Sequence, residues 1–236
     1  MREFIKNMAE AEYQEHMRHY NAAANAFDKI MKMAALVDET KLDYQKKQYA
    51  ICSDPAITET FKAKRVAEIK KDTLAALTAA WEVAEKAIPV FEAESAEIAE
   101  TIILNDARLA TAVSLATAAG AESMGAGAQR ALVEPFAGNL DALNLLHPVV
   151  KTKGLSTAAG LIDGYKATHE KARVFAGTAA QVIREATLDV EGDYTQFALA
   201  VYAEAVAAVY DFAMPEIPDE LNVAAVRLAM GLQITT

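Results

Sequence analysis

No glycine or proline occurs between Met1 and Ser53, and one apolar stripe runs through that stretch. Tyr13, Met17, Tyr20, Ala24, Phe27, Met31 and Ala34 follow one another at alternating steps of four and three, which puts all seven on one face of a helix. Nothing obliges the chain to turn before Asp54-Pro55, so the pattern predicts a helix from about Glu3 to Ile51. At 1.5 Å per residue, a helix of roughly 45–50 residues is about 70 Å long, well beyond an ordinary globular helix. A stripe of that length needs partner helices, from this chain or from a second copy. Tyr13, Met17, Tyr20, Phe27 and Met31 are the expected interface seam.

The rest of the chain agrees with an all-α class. Hydrophobic residues make up 53% but aromatic ones only 7%, and the excess is alanine, the best helix former. Gly and Pro number only 10 and 6. Ser53-Asp54-Pro55 reads as a stop and restart, with Ser53 or Asp54 as N-cap and the proline in the first helical position. A second helix follows through Phe61, Val66, Ile69, Leu77 and Trp81. Pro89 either kinks or breaks it, and the periodicity then resumes to Gly120.

From Gly120 to Gly154 come Gly125, Gly127, Pro135, Gly138 and Pro148, with short helices expected at about Ala128–Glu134 and Leu140–His147 after an Asn139 cap. This segment is the expected hinge. Another long helix starts at a Ser156 or Thr157 cap, and a very apolar one carries Phe197, Val201, Ala205, Ala208 and Phe212 until Pro215. A short final helix holds Leu221, Val226, Leu228 and Met230. The expected architecture is an elongated helical bundle in three segments: 1–119 with the long helices, 120–154 as hinge, and 155–236 as an Ala-rich bundle whose packing centres on Phe197, Val201 and Phe212.

Composition also limits the function. A formal net charge of −10 disfavours binding to a phosphate backbone. The local exception, Lys62, Lys64, Arg65, Lys70 and Lys71, is offset by Glu59, Glu68 and Asp72 and reads as a solvated helical face. Cys52 is the only cysteine, so there is no internal disulfide and no CxxC motif; beside Ile51 it reads as a small apolar residue. Met1–Lys6 lacks the apolar core of a signal peptide, and Phe197–Met214, carrying Glu204 and Asp211, falls short of a membrane span. A soluble protein made in a cytoplasm is expected.

Sites for chemistry are sparse. His16 and His19 lie one turn apart, with Glu12 and Glu15 each four residues before one of them, a set able to hold a transition metal. A di-iron bundle needs Glu-x-x-His pairs, which this chain lacks, and polar flanks of a coiled-coil stripe explain the set as well. No metal and no cofactor are therefore expected. Gly160-Leu161-Ile162-Asp163-Gly164 matches GxxxG and reads as a tight helix crossing in a soluble bundle. There is no Gly-x-Ser-x-Gly elbow, and the acidic run Glu92, Glu94, Glu97, Glu100 fits a wet helix face better than an acid–base pair. No catalytic residues are assigned.

Two stretches resemble a known group. Thr58–Lys71, a Lys/Glu helix, is similar to the opening helix of uncharacterised helical proteins from the morphogenesis cluster of tailed phages of Gram-positive bacteria. The run Ile103-Leu104-Asn105-Asp106, with Ala107 where the group carries Pro, resembles their middle, as does Pro135–Leu146 ending at Lys153-Gly154. The resemblance implies a virion or assembly protein without enzyme activity, located in the phage particle after synthesis in the host cytoplasm. Its implied partners are further copies of itself and other virion proteins. Two other classes remain open: a phasin-like amphipathic coat on a lipid or polyester surface, which would favour a more basic polar face, and a metal-binding helical bundle resting on His16 and His19.

Overall fold

The computed structural model describes residues 10–100, 107–119, 123–192 and 195–214. Helices make up 88% of these residues, and no strand occurs among them. In chain order they are α1 (Glu10–Ser53), α2 (Glu59–Glu100), α3 (Ala107–Ala118), α4 (Ala126–Val133) with a 3₁₀ turn (Glu134–Phe136), α5 (Leu140–Thr152), α6 (Ser156–Leu188) and α7 (Thr195–Tyr210). The expected final helix through Leu221 and Met230 lies outside the described residues, as do the first residues of the expected N-terminal helix.

Local chemistry accounts for most boundaries. α1 and α2 are 44 and 42 residues long. Pro89 does not end α2, although it cannot donate to the Glu85 carbonyl. Pro89 and Glu85 are both exposed, so that carbonyl lies on the wet side of the helix. Pro148 is carried by α5 in the same way, four residues after exposed Asn144. The expected short helix Leu140–His147 therefore extends to Thr152.

The restart after α1 differs from its expected form. Pro55 stands in a turn rather than in the first helical position. Asp54 caps that turn, its Oδ1 accepting from the Ala56 amide at 2.8 Å, and α2 begins only after Thr58, whose carbonyl accepts from Lys62 N at 2.9 Å. Asn139 does cap α5, its side chain accepting from Ala142 N at 2.9 Å. α5 ends in a Schellman motif: Leu155 N donates to Val150 O at 2.9 Å, Gly154 N donates to Lys151 O, and Gly154 sits at φ 70°. Leu155 and Val150 are both buried, which supplies the apolar contact that this motif uses.

Two compact units are each built from separate stretches. The first takes residues 10–21, the described part of Ala93–Phe175, and Tyr202–Ala213. In it α3 packs on α4 and α5 around Leu109, Ala112, Leu132, Phe136, Leu143, Leu146 and Ile162. Buried Gln129 ties this core to the start of α6: its Oε1 accepts from Thr157 N (3.1 Å) and Ala158 N (3.2 Å), while Nε2 donates to Met124 O (2.8 Å). The second unit takes Ala22–Glu92 and Ala176–Val201, with Phe27, Ile30, Val37, Leu77, Ile183 and Leu199 in its core.

Among the described residues, Gly160 and Gly164 do not make the expected helix crossing. Both are exposed on α6, and a Cβ at either would meet nothing within 4 Å.

Candidate functional site

The residues expected to form a seam fall into both units. Tyr13, Met17 and Tyr20 are half-buried in the first. There Tyr20 Oη donates to the Asp211 carbonyl at 2.9 Å, and its ring meets Phe212 edge-on at 5.1 Å and 72°. Phe212 stacks in turn on Tyr210 at 5.4 Å. Asp211 has φ 59°, a left-handed residue that ends α7 and turns Phe212 back toward Tyr20. Two residues named from sequence, 192 positions apart, thus meet in one aromatic cluster.

Phe27 and Met31 are 1% and 3% exposed in the second unit, covered by this chain itself; the Phe27 ring lies 6.2 Å from that of Phe91. Val201 is 51% exposed, although Leu199, Ala203, Ala205 and Val206 around it on α7 are buried. The side chain of Phe197 lies outside the described residues.

His16 and His19 have different surroundings: His16 is buried, whereas His19 is held by neighbours on both ring nitrogens. His19 Nδ1 pairs with Glu94 Oε2 at 2.5 Å, and an Arg18 guanidinium nitrogen lies 3.1 Å from His19 Nε2. A guanidinium only donates, so Nε2 accepts, which puts the ring proton on Nδ1 facing the carboxylate. Both ring nitrogens are thereby engaged in a clamp between α1 and α2. His16 is buried, and burial, followed by the neighbouring His19, pushes its pKa below the ordinary histidine value. Among the described residues, no group of three or more His, Cys, Asp or Glu side chains could share an ion. Cys52 is exposed, and its carbonyl accepts from Lys62 Nζ at 2.9 Å.

The most constrained polar group was not singled out from sequence. Asp38, 1% exposed, accepts from the amides of Thr195 (2.6 Å) and Gln196 (2.7 Å), the first two residues of α7. A carboxylate at this position satisfies two orphan N–H groups and opposes the positive end of the helix dipole. Burial raises its pKa, and the two amides and nearby Lys41 only partly offset that effect. Lys41 and Tyr44, one and two turns along α1, are each 1% exposed; burial, then Glu191, raises the Tyr44 pKa. Asp38 lies between Val37 and Glu39, and its partners are 157 and 158 residues away, so no local pattern announces it. Gln129 is silent in the sequence for the same reason.

These clusters fasten helices to one another. No helix among the described residues is long and apolar enough to cross a membrane. No protein-family model, curated protein or solved structure matches the chain.

Proposed function

We propose that this chain is a non-enzymatic structural protein of a tailed-phage particle, a virion or assembly component that works by self-association through its helices. The observation that carries this reading is a pair of helices of 44 and 42 residues that keep large apolar side chains exposed. On α1 these are Leu36 and Tyr49, and on α2 Phe61, Val83 and Val90, all between 41% and 66% exposed. Long helices that cover their own stripe and still present apolar groups offer surface for lateral contact. The polar clusters fit the same reading, because each binds helix to helix: Asp38 caps α7, Gln129 caps α6, and His19 pairs with Glu94. The resemblance of the central segment to phage morphogenesis proteins supports the virion setting, with other virion proteins as further partners.

Since Phe27 and Met31 are covered by the chain itself, contact along the first helix falls to Leu36, Tyr49 and the half-buried Tyr13 and Met17. Light scattering on the untagged protein over a wide concentration range tests this. A discrete oligomer is expected, losing mass in a Leu36→Ser/Tyr49→Ser variant of unchanged helicity. A monomer at every concentration refutes self-association. Absence of the chain from purified particles, by mass spectrometry, refutes the virion setting.

A further inference from the structure

α2 buries Leu77, Ala84, Ile88 and Phe91 on one face and leaves another face of the same stretch open. At about 100° per residue, Glu68, Asp72, Ala79, Val83, Lys86 and Val90 fall within about 60° of one another, and all six are exposed. Val83 and Val90 are 44% and 45% exposed, so apolar surface meets water there. This stretch of α2 lies wholly within the second unit.

The charges on it are ordered about Ala79. Lys71-Asp72 precedes it and Glu85-Lys86 follows, with Asp72 seven residues before and Lys86 seven after. Among the described residues, none of these four side chains makes an ion pair. An antiparallel copy centred on Ala79 would set Asp72 against Lys86 and Lys71 beside Glu85, and twofold symmetry would make each pair twice. A parallel copy would set Asp72 on Asp72 and Lys86 on Lys86, like charges that repel. The antiparallel register would also lay Val83 over Ala75 of the second copy, with small Ala79 at the crossing. Val90 would meet the methylenes of Glu68, whose carboxylate Arg65 of its own helix already holds at 3.1 Å. A lipid surface, by contrast, would bury Asp72 and Lys86 with no partner for either.

We propose that this face of α2 pairs with the same face of a second copy, antiparallel and centred on Ala79. The pairing rests on the self-association read above and gives it a surface, a register and a direction.

Cysteine cross-linking of the full chain tests it, in a Cys52→Ser background so that the exposed native thiol cannot compete. Oxidised with copper phenanthroline at a concentration where light scattering shows the oligomer, Ala79→Cys should form a covalent dimer. Lys86→Cys should not link to itself, because antiparallel copies of that position lie about 21 Å apart along the axis. Mixed with the Asp72→Cys protein, it should give the dimer. Lys86→Glu should weaken association about tenfold, and adding Asp72→Lys should restore it. These positions are exposed, so folding is not at stake. An oligomer in which Ala79→Cys does not link, or Lys86→Cys links to itself, overturns this pairing and leaves self-association through other surfaces standing. So does an Asp72→Lys/Lys86→Glu variant that associates as weakly as Lys86→Glu. A monomer at every concentration overturns both the pairing and the self-association.

Discussion

Replacing Asp38 tests whether α7 is held by its capped N-terminus. In Asp38→Ala the amides of Thr195 and Gln196 lose acceptors at 2.6 and 2.7 Å, in a place where both residues and Asp38 itself are buried. Each buried donor left unsatisfied costs about 1–3 kcal/mol, and a lost N-cap typically costs about 0.5–2 kcal/mol. The alanine also removes a buried carboxylate whose desolvation is unfavourable, which takes back part of that cost. The expected net loss is about 2–3 kcal/mol. Asp38→Asn keeps an oxygen for the amides and sheds the charge, so its cost should stay below about 1 kcal/mol.

Urea unfolding followed by far-UV circular dichroism measures both, with the slope checked for constancy. An alanine variant as stable as the parent, or an asparagine variant as costly as alanine, refutes the capping argument. The pH dependence is a second arm. Burial holds the Asp38 pKa above its ordinary value, so the native state binds this proton more tightly than the unfolded chain does. That contribution is complete below the unfolded value of about 3.9 and is lost as pH rises through the folded one. The parent should therefore lose stability relative to Asp38→Asn as pH rises from about 4, and the opposite trend would refute the sign.

Phe27→Ala should cost about 3–5 kcal/mol in the same assay, since the ring is buried beside Phe91; a loss below 1 kcal/mol would mean its surroundings close over the gap. His16 has a folded pKa below the unfolded 6.5, so the unfolded chain binds more protons and stability should fall as pH drops through that value. His16→Gln should flatten that slope, and an unchanged slope would assign it to another group. Gly154→Ala should cost about 1 kcal/mol, because φ 70° strains an L-residue at the turn between α5 and α6; equal thermal midpoints would contradict this.

The helical class and most helix positions were legible in the sequence, because they follow from short-range chemistry. Fifty-three residues without Gly or Pro permit one long helix, Asn139 and Ser156 mark helix starts, and alanine supplies propensity throughout. Proline was read less well. Whether Pro89 and Pro148 break a helix depends on the environment of the carbonyl four residues earlier, which a sequence window does not contain. The same limit applies to Gly160 and Gly164, whose spacing allows a close crossing that no helix among the described residues uses.

Only tertiary structure decided what covers the first helix and which polar groups are indispensable. The stripe through Phe27 and Met31 required a partner helix, and a heptad reads the same whether that helix is its own or another copy's. Folding supplied Phe91. Asp38 and Gln129 became helix caps because separate stretches of chain brought unpaired amides to them across 157 and 28 residues. Periodicity fixes which face of a helix is apolar; which amide meets which carboxylate is set by how the helices pack.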